Sequence, residues 1–233
     1  MIFNTKGIVL NHIKYKESSI IVRIYTERFG LQSYIINSVR SAKAKHKIAL
    51  FQSLTLVDLM VYHKENRDLH KISEVKCDIP FQEIPFKFEK TSIALVLSEI
   101  ISKCVHSYED EKLFYFLKNS ICTFDLLEKN KENFLIIFLY KMSNFLGFSP
   151  MSLEEINEQL NLHFQQKNIF LSQENKWFFN NIKDANSYQE KIESNLEQRR
   201  FLLNILLKYY QVHIECFGEL KTLPILQLSL IHI

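Results

Sequence analysis

The apolar residues of this chain keep two different periods, and the change between them limits the fold more than any single motif does. Up to residue 76 the apolar runs alternate or are rich in β-formers; from Glu89 onward apolar positions recur about every 3.6 residues. Period two sends successive side chains to opposite faces of a strand, whereas 3.6 gathers them on one stripe of a helix. Strands first and helices after make an α+β chain. Five segments read as strands: residues 5–11, 18–26, 31–39, 54–62 and 69–76. Gly7 gives the first a place to bend, as a small barrel requires. Residues 12–17 turn the chain, and the polar residues 64–68 make the last connection. Five short strands, joined by loops that suit antiparallel neighbours, predict an N-terminal five-stranded OB-type β-barrel. An SH3-like barrel has the same strand count.

Residues 81–88, which follow Pro80 and contain Pro85, keep no period and read as a linker between a domain over 1–80 and an α-helical domain over 89–233. Ile93, Val96, Leu97, Ile100, Ile101, Cys104 and Val105 form the first stripe, with Thr91 or Ser92 as its cap. A second helix is expected over 110–128. A third, over 133–146, is apolar nearly all round and is stopped by Gly147 and Pro150. Capping boxes stand at Ser152/Glu155, Ser187/Glu190 and Ser194/Glu197, the last heading a helix to about Phe217. Between them, residues 162–164, 169–171 and 177–179 predict a small β-hairpin insertion near 160–180.

Charge divides along the same line. The net formal charge of +3 combines +6 over residues 1–80 with −3 over 81–233, so a polyanion is expected at the front of the chain. Within it, alternation places Ile20, Val22 and Ile24 on one face of the second strand and Arg23 and Tyr25 on the other; Tyr34 is expected on the corresponding outer face of the third. A loop with Arg40, Lys43, Lys45, His46 and Lys47 follows. Rings that stack bases beside cations that track phosphates form a surface for single-stranded nucleic acid. The same residues also fit a solvated barrel face with ordinary surface tyrosines. The candidate binding set is Lys14, Lys16, Arg23, Tyr25, Arg28, Tyr34, Arg40, Lys43, Lys45 and Lys47.

Several function classes find no support. The chain has no run of about 18 apolar residues, and its N-terminus lacks the pattern of a secretory signal, so a cytoplasmic protein is expected. Cys77, Cys104, Cys122 and Cys216 are scattered without a C-x-x-C pair, so no structural metal is expected and the thiols read as reduced. Four glycines cannot supply a phosphate-cradling loop. His213 lacks a nucleophile partner and reads as a hydrogen-bonded helix histidine. Glu109, Asp110 and Glu111 read as favouring a helix start, and Trp177, Phe178 and Phe179 as core. No catalytic residue or cofactor emerges.

Seven short stretches then carry a resemblance: TKGIVL at 5–10, KESS at 16–19, YTERFG at 25–30, VR at 39–40, LGFSP at 146–150, YYxxHIxxF at 209–217 and LKTL at 220–223. In order and spacing the chain resembles the RecO family of bacterial DNA repair proteins along nearly its whole length. That resemblance implies an OB-fold followed by a helical domain. It implies binding of single- and double-stranded DNA, annealing of complementary strands, and work with RecR to load RecA onto strands coated by the single-strand binding protein SSB. A nucleoid-associated location follows from it. It also implies docking of the acidic, Phe-ended C-terminal tail of SSB, for which Lys141 on the third helix and Lys118, Arg199 and Arg200 on flanking helices are the candidate rim cations. Some relatives carry a four-cysteine zinc module after the Leu-Gly helix; here residues 160–179 have no cysteine, and an apolar hairpin built on Phe164, Phe170 and Trp177 is expected in its place. Composition alone equally permits an RNA-binding OB module with a helical dimerisation or scaffold domain.

Overall fold

The computed structural model describes residues 1–37, 39, 45–64, 67–165 and 169–229, with backbone alone at 45, 46 and 227–229. Five strands, β1 (Ile2–Tyr15), β2 (Ser19–Thr26), β3 (Gly30–Ile36), β4 (Leu56–Tyr62) and β5 (Leu69–Ile79), close a barrel in the order β1-β2-β3-β5-β4. β1 makes the closure possible: its first half pairs with β4 and its second with β2. A helical turn, α1 (Lys45–Ile48), stands between β3 and β4. β3 and β5 run parallel, which completes the OB arrangement and sets the SH3-like alternative aside. The expectation of antiparallel pairing throughout fails at this pair, because loop length constrains sequence neighbours and β4 separates these two strands.

β1 runs on to Tyr15, where residues 12–17 were expected to turn. A register shift between Val9 and Asn11 explains how so long a strand serves both sides of the barrel. The carbonyl of Leu10, inside the shift, accepts hydrogen bonds from the hydroxyls of Ser53 and Ser98. A Cβ at Gly7 would meet the Ile24 side chain at 2.6 Å, so the glycine lets β2 approach closely. The barrel core holds Val9, Ile20, Val22, Ile24, Tyr34, Phe51, Val57, Leu59 and Val61.

Seven helices follow among the described residues: α2 (Phe88–Cys104), α3 (Glu111–Leu126), α4 (Phe134–Phe145), α5 (Leu153–Phe164), α6 (Gln173–Asp184), α7 (Leu196–His213) and α8 (Leu223–Ser229). The chain forms two compact units. One is Met1–Asp125 with Leu220–Ile233, the other Leu126–Glu219. The first unit thus continues past the expected linker at 81–88 to take in α2 and nearly all of α3, and a polar clamp accounts for that packing. Buried Asp125 accepts three backbone N–H bonds, from Gln82 at 2.7 Å, Glu83 at 2.9 Å and Ile84 at 2.8 Å. Lys90, only 2% exposed, donates to the carbonyls of Phe124 and Asp125 and pairs with Glu83 at 2.5 Å. The same unit gathers α8, because the Glu99 carboxylate accepts from the backbones of Lys221 and Thr222 and from the Thr222 hydroxyl.

In the second unit α4 is the buried element, with Phe134 to Leu139 and Met142 inside. Ser152 caps α5 by accepting from the Glu155 backbone at 3.2 Å. The box that heads α7 is Asn195 with Gln198, one residue beyond Ser194. Among the described residues near 160–180 the expected hairpin is absent: α5 runs to Phe164 and α6 begins at Gln173. Ser172 caps α6 by accepting from the Asn175 backbone, and Phe178, Phe179 and Ile182 bury one helical face. Three successive aromatics hid that period. Phe170 and Trp177 are 86% and 52% exposed, so they do not form the apolar plug anticipated there. Asn157 instead ties the connection, accepting from Ile169 N at 3.0 Å and donating to Ile169 O at 3.3 Å.

Candidate nucleic-acid interface

The register of β3, β5 and β4 decides which side chains leave the barrel. Val22 pairs with Tyr34, and Tyr34 with His70, so these three point inward; Ile35 pairs with Lys71, and Lys71 with Tyr62, so those three point out. Tyr34 is thus a core residue at 0% exposure, a correction to the outward ring expected of it. The alternation was read correctly but its phase in β3 was not, because Ser33 and Ile35 fit an inward set as readily as Tyr34 and Ile36. Tyr25 does leave the barrel wall, yet it is only 1% exposed. Phe114 of α3 covers its ring at 6.0 Å, and its hydroxyl reaches the Asp110 carbonyl at 3.5 Å. Burial, with Asp110 and Tyr108 nearby, pushes its phenol well above the ordinary tyrosine range. Neither ring offers a face to a base.

The turn beneath Tyr25 is roofed as well. Gly30, at φ 61°, sits under the backbone of His106 and Tyr108 with no room for a Cβ, and Leu31 N donates to His106 O at 2.8 Å. Arg23 stands half-buried between Asn11 and Ser33. Arg28 is exposed but engaged, lying over the rings of Phe3 and Phe29 and donating to the Asn4 carbonyl at 3.4 Å. Lys14 and Lys16 are exposed at the β1–β2 end, Lys16 above Tyr15 at 5.4 Å, and Lys47 is exposed on α1. Arg40, Lys43 and the Lys45 side chain lie outside the described residues.

A second basic cluster escaped sequence reading. Ile35, Leu69, Lys71 and Tyr62 on the outer faces of β3, β5 and β4, together with Lys64 and Arg67 on the β4–β5 turn, line a cavity of about 670 Å³. Arg67 N donates to Lys64 O at 3.2 Å, closing the turn that carries both cations. Tyr62 is 47% exposed. Beneath it the rings of Phe29, His63 and His70 stack, with centroids 4.0 Å and 4.4 Å apart, and Tyr34 lies 5.9 Å beyond. Burial, then the neighbouring His63, lowers the His70 pKa. The turn had been read only as polar; the signal available was Tyr62, Lys64, Arg67 and Lys71 within ten residues. OB barrels bind oligonucleotides through the face of strands 2 and 3 and the loops between strands 1–2 and 4–5, and here the 4–5 loop carries Lys64 and Arg67.

Other cations are committed within the fold. Lys6 pairs with Asp78 at 2.8 Å and Asp58 at 3.4 Å, and Lys118 pairs with Asp78 at 2.6 Å. Burial alone would raise the Asp78 carboxyl, but hydrogen bonds from Lys118 and Lys6 outweigh it and hold the pKa low. Lys118 therefore belongs to the barrel unit and to an ion pair. In the other unit Lys141 is half-buried, reaches the Asn186 carbonyl at 3.4 Å and lies 6.0 Å from the Tyr188 ring centre. Arg199 donates to the Ser194 carbonyl and hydroxyl, whereas Arg200 is exposed. His213 bonds Gln159 at 2.8 Å and stacks on Phe148. Among the described residues no three His, Cys, Asp or Glu side chains are grouped to hold a metal, and no helix is long and apolar enough to cross a membrane.

Comparison with known proteins fits this geometry. Residues 1–80 match the family described as Recombination protein O N terminal, and residues 85–155 the one described as Recombination protein O C terminal. The DNA repair protein RecO of Azobacteroides pseudotrichonymphae is 30% identical, that of Flavobacterium psychrophilum 32% and that of Bacteroides fragilis 31%, each alignment covering 97% of this chain and 98% of the relative. The chain belongs to the RecO family of DNA repair proteins. In the barrel of this chain the cations at 14, 16, 47, 64, 67 and 71 are exposed.

Proposed function

We propose that this chain is a recombination mediator that binds single- and double-stranded DNA through its barrel, anneals complementary strands and, with RecR, helps load RecA onto strands coated by SSB. One observation carries the reading: a closed OB barrel of a RecO-family chain bears exposed cations on the loops that such barrels use for oligonucleotides. Lys14, Lys16 and Lys47, with Arg23 and Arg28 assisting, hold phosphates at one set of positions, and Lys64, Arg67 and Lys71 at another. Arg40, Lys43 and Lys45 belong to the same basic stretch of sequence and join the first set. The work needs no catalytic group, because mediation is a difference of binding free energies among strands and partners. Lys141, Arg199 and Arg200 are the cations left for the acidic SSB tail once Lys118 is committed to Asp78. The protein works in the cytoplasm, on the nucleoid.

The test is annealing of complementary oligonucleotides, naked and SSB-coated, followed by fluorescence transfer. Acceleration that survives SSB coating is the expected outcome. Annealing no faster than the spontaneous rate, or a marked preference for matched RNA, contradicts the reading.

A further inference from the structure

Two clefts among the described residues of the barrel unit have linings that differ in charge. One, of about 460 Å³, is lined by Lys6 and Lys76 together with Glu27, Asp58 and Glu74. Its lysine at position 6 is held by Asp58 and Asp78. A polyanion gains nothing there. The other is the cavity at the β3–β5–β4 face, where the described lining is Lys64, Arg67 and Lys71 with His70, Tyr62, Ile35 and Leu69; the nearest described carboxylate, Asp68, acts on His70 from beside it.

A cation-rich cleft with an aromatic wall has a particular complement. A duplex presents phosphates and groove edges, and its base faces are stacked away. An unstacked nucleotide presents a π-face and its flanking phosphates together, which is what this lining meets. The volume, about 670 Å³, is within the range of small-ligand pockets. The wall is also built to stay put. Val61 pairs with Ile72 and Met60 with Glu74, so Ser73 is an extra residue in β5, a bulge that sets the phase in which Tyr62 and Lys71 both face outward.

We propose that this cleft receives one unstacked nucleotide of a single strand, its base against Tyr62 over Ile35 and Leu69, its phosphates on Lys64, Arg67 and Lys71. The inference rests on the DNA-binding reading above and adds a consequence for annealing. While a strand is single, the cleft holds a base; once the complement pairs with it, the base leaves for the duplex and the ring contact is lost. The cleft therefore favours substrate over product and lets the annealed duplex go.

The experiment compares the full-length parent, Tyr62→Ala and Tyr62→Phe in anisotropy titrations with a labelled single strand and with the duplex of the same sequence. Circular dichroism melting checks that each variant is folded. Stacking of a base on a ring predicts that Tyr62→Ala weakens single-strand binding by about 5- to 150-fold. Duplex binding is expected within about twofold of the parent, and Tyr62→Phe is expected to restore single-strand affinity. In the parent, a strand carrying one 2-aminopurine should show quenching at the seated position, a readout independent of any variant. Equal losses on both DNAs, or no loss with no quenching while the parent binds normally, overturn the cleft and leave the DNA-binding reading standing. A parent that binds neither DNA at low salt overturns both.

Discussion

Two outer faces of one barrel make an instructive pair. On the β2 side, Tyr25 leaves the wall but meets Phe114, while the β2–β3 turn lies under the backbone of His106 and Tyr108. On the β3–β5–β4 side, Tyr62 leaves the wall by the same alternation and stays half exposed among Lys64, Arg67 and Lys71. The chemistry of the two rings is identical; what differs is whether a helix packs over them. Alternation tells which side of a sheet a residue faces, and only the neighbouring elements tell whether that side remains a surface.

The contrast is broken most forcefully through stability. Tyr34→Ala, in the core, is expected to cost about 3–5 kcal/mol in urea unfolding, with no change in DNA affinity per folded molecule. Tyr62→Ala should leave stability within about 1 kcal/mol, in line with an exposed site. If Tyr34→Ala were to lose DNA affinity while melting like the parent, the assignment of inner and outer faces would be wrong.

The roof itself depends on the clamp at the end of α3. Asp125→Ala removes a carboxylate that accepts three backbone N–H groups and leaves that of buried Ile84 without its partner, an expected loss of about 1–3 kcal/mol in the same unfolding assay. Gly30→Ala strikes the roof from below. With φ at 61° and the His106–Tyr108 backbone in the way, more than about 1 kcal/mol is expected, accompanied by faster hydrogen exchange at Leu31 N, whose acceptor is His106 O.

A smaller effect sharpens the comparison through pH. Hydrogen bonds from Lys87 and Lys90 hold the Glu83 carboxyl at about 2 in the fold, against an ordinary value of 4.5. A depressed folded pKa contributes stability that is fully present above about pH 4.5 and is lost as pH falls through about 2. Glu83→Gln should flatten that acid limb of the stability profile; an unchanged limb would show that Glu83 is not part of the clamp.

Much of this fold was legible in the sequence. Five strands, a helical remainder and the inward set of Ile20, Val22 and Ile24 followed from period alone, since one barrel face must be apolar. The site was legible only in part. Tyr34 was put on the wrong face because the phase of β3 is ambiguous, and Tyr25, on the face expected, is buried by Phe114 of a helix that local patterns do not place over it. The β4–β5 turn was passed over because cations in a turn resemble ordinary solvated charge, and it takes the parallel pairing of β3 with β5, invisible to local patterns, to bring Ile35 beside them. The hairpin expected near 160–180 gave way to α6 because Phe178 and Phe179 belong to a helical stripe completed by Ile182.

The central claim is that the open β3–β5–β4 face contacts DNA, and the salt dependence of single-strand binding tests it most directly. Each phosphate neutralised contributes about −0.7 to the slope of log affinity against log salt. The triple variant Lys64→Ala, Arg67→Ala, Lys71→Ala should therefore show a slope shallower than the parent's by about 2, with unfolding unchanged. A folded triple variant that keeps the parent's slope would contradict the account and move the DNA to another face of the barrel.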